Sequence, residues 1–281
     1  IFTNNGQENI SYIYTWFMKK KEESKHLGKE WEEMNIHLSS FLETGDQEEL
    51  HRFRVQVKKI RAMLSLFEDA SGEHAFLRNF KPVKKVFKYA GNIRDAHTTL
   101  QLAAHYGIKN EAFESGRLKI IEEGIIEFQH KGKKFIKNIK HACRQINDQL
   151  PGIDNDRIVE YYDKQLRQIA TNLAVAGFTE DMHTNRKLIK TLVYNHKLAE
   201  KALPGHFPYN ISYLDKLQET IGKWHDNIVA AELFLSPELN DKPVAAKIRR
   251  KNAAIKRNIT LLTEDFLKKA TAVEDAEKQI K

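Results

Sequence analysis

Two stretches of this chain carry one pattern at a fixed separation, and that duplication restricts the fold more than any other feature. His51, Arg54 and Lys58 recur as His183, Arg186 and Lys190, each pair 132 positions apart. Downstream, Gly91-Asn92-Ile93-Arg94-Asp95 pairs with Gly222-Lys223-Trp224-His225-Asp226 at a separation of 131. Two motifs in the same order at nearly the same offset imply an internal duplication, so the fold must accommodate two similar halves.

The halves are expected to be helical. Apolar residues recur at steps of 3 and 4 along nearly the whole chain, and no segment shows the Val/Ile/Thr alternation with hairpin turns that marks a sheet. Breaks are expected near Thr44 to Asp46, Ser71-Gly72, Gly91-Asn92, Gly107 to Asn110, Pro151-Gly152, Gly177 to Thr179, Pro204 to Pro208, Gly222 and Ser236-Pro237. They delimit about ten helices, five per half, in an all-α protein of two antiparallel, four-helix-bundle-like units. The Pro151-Gly152-Ile153-Asp154 stretch separates an N-terminal repeat, 1–150, from a C-terminal repeat, 151–281, within one domain of 281 residues.

Composition narrows the partner. Lys and Arg total 46 against 38 Asp and Glu, a net charge of +8, which favours an anionic partner. Cys143 stands alone, so neither an intramolecular disulfide nor a Cys-rich zinc site is available, and a cytoplasmic setting fits best. The apolar run Ile10 to Met18 is about half of the roughly 20 residues a membrane span needs, so no membrane partner is expected.

The positive charge is arranged in stripes. On the helix beginning near Asp46, Leu50, Phe53, Val57, Ile60, Leu64 and Phe67 form a core-facing seam, and His51, Arg54, Lys58 and Arg61 follow it one residue on, about 100° around the helix. Between His51 and Arg61 stand five Lys/Arg and no acid. Arg78 to Arg94 holds six more without an acid, with Lys81, Lys85 and Lys88 on one face. Lys133, Lys137, Lys140 and Arg144 line a long fifth helix, and Arg250 belongs to a basic cluster on the last one. Aligned cations repel, and water and salt screen that repulsion only in part, so an extended polyanion between them is the favoured ligand. Phe53, Phe67, Phe80, Phe87 and Phe128 fall at core positions, leaving only Tyr89, Tyr194 and Trp224 to stack bases. That scarcity favours a ligand made of phosphate over nucleic acid.

Other chemistries fit less well. Glu48-x-x-His51, Glu180-x-x-His183 and Glu23-x-x-His26 have the spacing of di-metal carboxylate bundles, yet Arg54 and Arg186 one turn on would repel a metal cation. Asp95 and Asp226 are expected at helix starts, with Asn92 as N-cap. No phosphate-binding loop, metalloprotease helix or nucleophile elbow occurs, so the chain is expected to be non-catalytic and to use no cofactor. A nucleic-acid module, a di-metal bundle and a scaffold for an acidic protein are the alternatives.

His51-x-x-Arg54-x-x-x-Lys58-Lys59-Ile60-Arg61 followed by Gly91-Asn92-Ile93-Arg94-Asp95 resembles the CHAD family, the conserved histidine α-helical domain. The second copy keeps His183, Arg186, Lys190 and Tyr194, but carries Val193 where a basic residue is expected and His225 in place of arginine. The resemblance implies two bundles related by a pseudo-two-fold axis, a basic groove or pore between them, and binding of inorganic polyphosphate in the cytoplasm, often at polyphosphate granules. Taken with the stripes, it leads to the expectation that His51, Arg54, Lys58, Arg61, Lys81, Lys85, Lys88, Arg94, Lys137, His183, Arg186, Lys190 and Arg250 line that site.

Overall fold

The computed structural model describes residues 20–175, 177–203 and 207–272. The Ile10 to Met18 run and Pro204 of the expected 204–208 break lie outside them.

Every regular element among the described residues is a helix, eleven in all. The first half comprises α1 (Lys20–Thr44), α2 (Gln47–Ser71), the short α3 (Phe76–Asn79), α4 (Lys81–His105), α5 (Glu111–His130) and α6 (Gly132–Asp148). The second comprises α7 (Asn155–Val175), α8 (Glu180–Ala202), α9 (Ile211–Leu235), α10 (Lys242–Thr263) and the short α11 (Phe266–Ala270). Polar caps set several boundaries. Asp46 accepts from the Glu48 and Glu49 amides at the start of α2, and Gly72 ends it in the left-handed region, φ 74°, where a side chain is disfavoured. Asn110 and Asn210 cap α5 and α9 in the same way as Asp46 caps α2.

The expected seam on α2 is the core: Leu50, Phe53, Val57, Ile60, Leu64 and Phe67 are all buried. One hydrophobic cluster runs from Leu27 through α2, α4 and α8 to Ala270, so the apolar interior is continuous across both halves. The two motif helices, α2 and α8, pack directly on each other. Their junction holds a buried Asn195 that donates from Nδ2 to the Ala62 carbonyl at 3.0 Å.

The helix boundaries depart from expectation in three places. Helix α4 runs unbroken through Gly91-Asn92 and α9 through Gly222, so Asn92 caps nothing and Asp95 and Asp226 are mid-helix positions. The long fifth helix is two helices meeting at Lys131. Gly132 there lies so close to α1 that a Cβ would stand 2.8 Å from Leu42 Cδ2, a close approach that local sequence does not reveal. The halves therefore contribute six and five helices.

Candidate functional site

The glycines of the second motif are slots for the arginines of the first. Arg54 Nη1 donates to the Phe87 carbonyl at 2.9 Å, and its guanidinium lies 4.2 Å above the Phe87 ring. In a helix that carbonyl already accepts from the amide of residue 91, so the residue at 91 borders the approach. Gly91 leaves it open, since a Cβ would lie 3.1 Å from Arg54 Nη1. The second half repeats the device: Arg186 Nε donates to the Gln218 carbonyl at 3.1 Å, four residues before Gly222. A Cβ on Gly222 would stand 2.7 Å from Arg186 Nη2. Both arginines are half-buried and oriented by a backbone acceptor and the core edge, not by an acid.

Because α2 packs on α8, the two stripes meet. Lys58 is exposed by area, yet protein crowds its ammonium enough that burial, followed by Arg54, Lys190 and Arg186, lowers its pKa from 10.5 to about 8. Lys190 is also lowered, by burial and Arg186, and lies 5.4 Å from the Tyr194 ring centre. The halves differ in their acids. Asp95 is the acid that offsets Lys58, whereas Asp215, Asp226 and Glu219 all favour the charge on Lys190. The first half is thus the more electropositive.

The histidines sit at the outer end of each stripe. Burial and then Arg94 hold His51 below the ordinary imidazole value. In the second half His225 takes the place of Arg94 and stacks on His183, ring centres 3.9 Å apart and 21° from parallel. Burial and then His225 lower the His183 pKa, and its Nδ1 is buried without a hydrogen-bond partner.

Eight of the expected residues therefore gather along α2, α4 and α8: His51, Arg54, Lys58, Arg94, His183, Arg186 and Lys190, with exposed Arg61 one turn beyond Lys58 on α2. Lys81, Lys85 and Lys88 form the exposed crest of α4 beside this cluster. Lys137 and Arg250 are elsewhere. Helix α6 packs through Phe135 on Tyr89, and Tyr89 lies roughly 200° around α4 from Phe87, on the flank away from Arg54. Arg250 is exposed on α10, roughly 200° around that helix from buried Ile248. The sequence did not single out His225 as a partner of His183, or Phe87 as the platform for Arg54. The spacing of Phe87 four residues before Gly91 was the available signal.

One further expectation changes. Trp224 is 1% exposed and stacks on nothing outside the protein. The acids of the Glu-x-x-His pairs are already committed: Glu48 to Arg52 at 3.3 Å, Glu180 to Lys187 at 3.2 Å, and buried Glu23 to the Gly152 and Ile153 amides. Among the described residues no three His, Cys, Asp or Glu gather to hold a metal.

A sequence model of the CHAD domain matches residues 25–118 and 133–235. This chain belongs to the CHAD family. The matched CHAD segments carry α2, α4, α8 and α9, hence the whole duplicated cluster, and Lys137; Arg250 falls outside them. The crystal structure of the CHAD domain from the plant Ricinus communis has the same fold, with a TM-score of 0.58, 16% identity and 89% of each chain covered. No curated protein sequence matches this CHAD chain. No helix among its described residues is long and apolar enough to cross a membrane.

Proposed function

We propose that this CHAD domain is a non-catalytic binder of inorganic polyphosphate, working in the cytoplasm and at polyphosphate granules. The observation that carries the reading is the approach of Lys58 to Arg54, Lys190 and Arg186, cations from both halves held together around an ammonium that only Asp95 offsets. Folding brings them into mutual repulsion, and a bound anion relieves it. Arg54 and Arg186 each spend one N–H on a backbone carbonyl, leaving the rest of the fork for phosphate oxygens, while Lys58 and Lys190 act as point charges.

Aromatic placement favours phosphate over bases. Tyr194 is half-buried and associated with Lys190, Trp224 is in the core, and Tyr89, though exposed, is engaged by Lys131 and Phe135. A cytoplasmic setting agrees with the single thiol, Cys143, which burial pushes above its ordinary pKa and away from reactivity.

The test is a titration with long-chain polyphosphate, triphosphate and single-stranded DNA at matched salt. Polyphosphate is expected to bind most tightly, with affinity falling steeply as salt rises. Equal affinity for DNA would refute the choice of ligand. Arg54→Glu with Arg186→Glu should abolish binding while the helical circular dichroism signal persists.

A further inference from the structure

The seam between α2 and α8 leaves a second cationic surface unexplained. Helix α6 has an apolar face of Phe135, Ile139, Ala142 and Ile146, all buried. Its other face is exposed and basic: Lys133, Lys137, Lys140 and Arg144 step by 4, 3 and 4 residues, so they form one line over roughly 16.5 Å. A shallow groove of about 560 Å³ runs along this line. The chain from Gly132 to Asn147 contains no acid.

Nor do other elements neutralise the line. Among the described residues none of these four cations lies within ion-pair distance of a carboxylate, although neighbouring Lys119 and Lys131 pair with Glu123 and Glu127. No Phe, Tyr or Trp lines the groove to receive a base, its one ring being the imidazole of His141. Four exposed cations in register suit a linear, closely spaced chain of phosphates.

The α6 line is separated from the arginine seam by α4. Phe87, against Arg54, and Tyr89, against Phe135 of α6, mark the two flanks of α4, and Lys88 lies between them, about 100° from each. Lys81, Lys85 and Lys88 on the crest carry the positive surface from one flank toward the other. The crest likewise carries no acid, the first after Arg78 being Asp95.

We infer that α6 is a second phosphate-chain subsite, reached over the α4 crest, which engages polyphosphate too long to be held by the seam alone. The inference rests on the polyphosphate reading above and adds to it a preference for long chains. A short oligophosphate fills the seam and never reaches α6.

The experiment compares unmodified protein with Lys133→Gln/Lys140→Gln/Arg144→Gln, titrating long-chain polyphosphate and triphosphate over a range of salt. Glutamine keeps helix propensity and the stems, so folding is preserved. The expected result is about a tenfold loss of affinity for the long chain. The slope of log affinity against log salt should fall by about 2, three contacts at about 0.7 each. Triphosphate affinity should be unchanged. Unchanged long-chain affinity and slope would overturn the α6 subsite while leaving the seam intact. Equal loss for triphosphate would also overturn it, because α6 would then act only through the general field. Failure of the unmodified protein to bind either phosphate would instead refute the underlying reading.

Discussion

Arg186 occupies the space that a side chain on Gly222 would fill, with Nη2 2.7 Å and Nε 2.8 Å from that Cβ position. Glycine in a helix interior costs about 1 kcal/mol against alanine, so a glycine here serves the arginine and not the helix. Gly222→Ala should therefore fold and melt at the same or a slightly higher temperature, since the displaced group is the end of a flexible side chain. Phosphate affinity should nevertheless drop, because Arg186 loses its bond to Gln218. Gly91→Ala, with its contact at 3.1 Å, should show the same split more weakly. Thermal melts paired with triphosphate titrations measure both.

Anion binding should take up a proton at mildly alkaline pH. Lys58 is depressed to about 8 by burial and by Arg54, Lys190 and Arg186. An anion among these groups favours the charged amine and raises that value again. Affinity should fall as pH rises through about 8, and calorimetry in buffers of different ionisation enthalpy should report the uptake. Without ligand the sign is opposite for stability. The folded value lies below the ordinary 10.5, so the unfolded chain holds more protons between the two, and stability should rise with pH across that interval. Lys58→Met should remove the proton uptake near pH 8 and reduce the stability effect, to which Lys190 also contributes.

The second half should be the more acid-dependent. His225 stands where the first half has Arg94 and stacks on His183, whose pKa is lowered by burial and by that neighbour. Below the ordinary imidazole range the folded protein resists this charge, so stability declines with falling pH while phosphate affinity rises. His225→Arg should flatten the affinity profile between about pH 7.5 and 5.5. Arg94→His should steepen it.

Glu23 anchors the segment between the halves. Its side chain is fully buried and accepts from the Gly152 amide at 3.1 Å and from the Ile153 amide. Glu23→Ala strands both donors and should cost about 1–3 kcal/mol, seen as a lower melting temperature. Glu23→Gln keeps one carbonyl acceptor and should lose less.

The α2 seam, the cap at Asp46 and the left-handed Gly72 were legible because each depends on residues within one or two turns. Gly91 and Gly222 read as breaks for the same local reason and were misread. Their helices continue because an arginine 37 and 36 residues earlier fills the gap. At the break beside Lys131, Gly132 approaches Leu42 from a distant part of the chain, a contact that local spacing does not show. Lys137 repeats the stripe pattern faithfully but stands on α6, across α4 from Arg54, and no periodicity states which flank a neighbouring helix takes.

By itself the sequence determined that the chain is helical, that it is duplicated, and which residues share a face of each helix, since these follow from spacing along one axis. Tertiary packing decided which faces meet. The pairing of α2 with α8, the insertion of Arg54 and Arg186 over glycine, the stacking of His183 on His225 and the isolation of α6 all depend on contacts between distant parts of the chain. Such contacts are fixed by burial of a shared core and by the shape of its gaps, quantities that exist only once the helices are assembled.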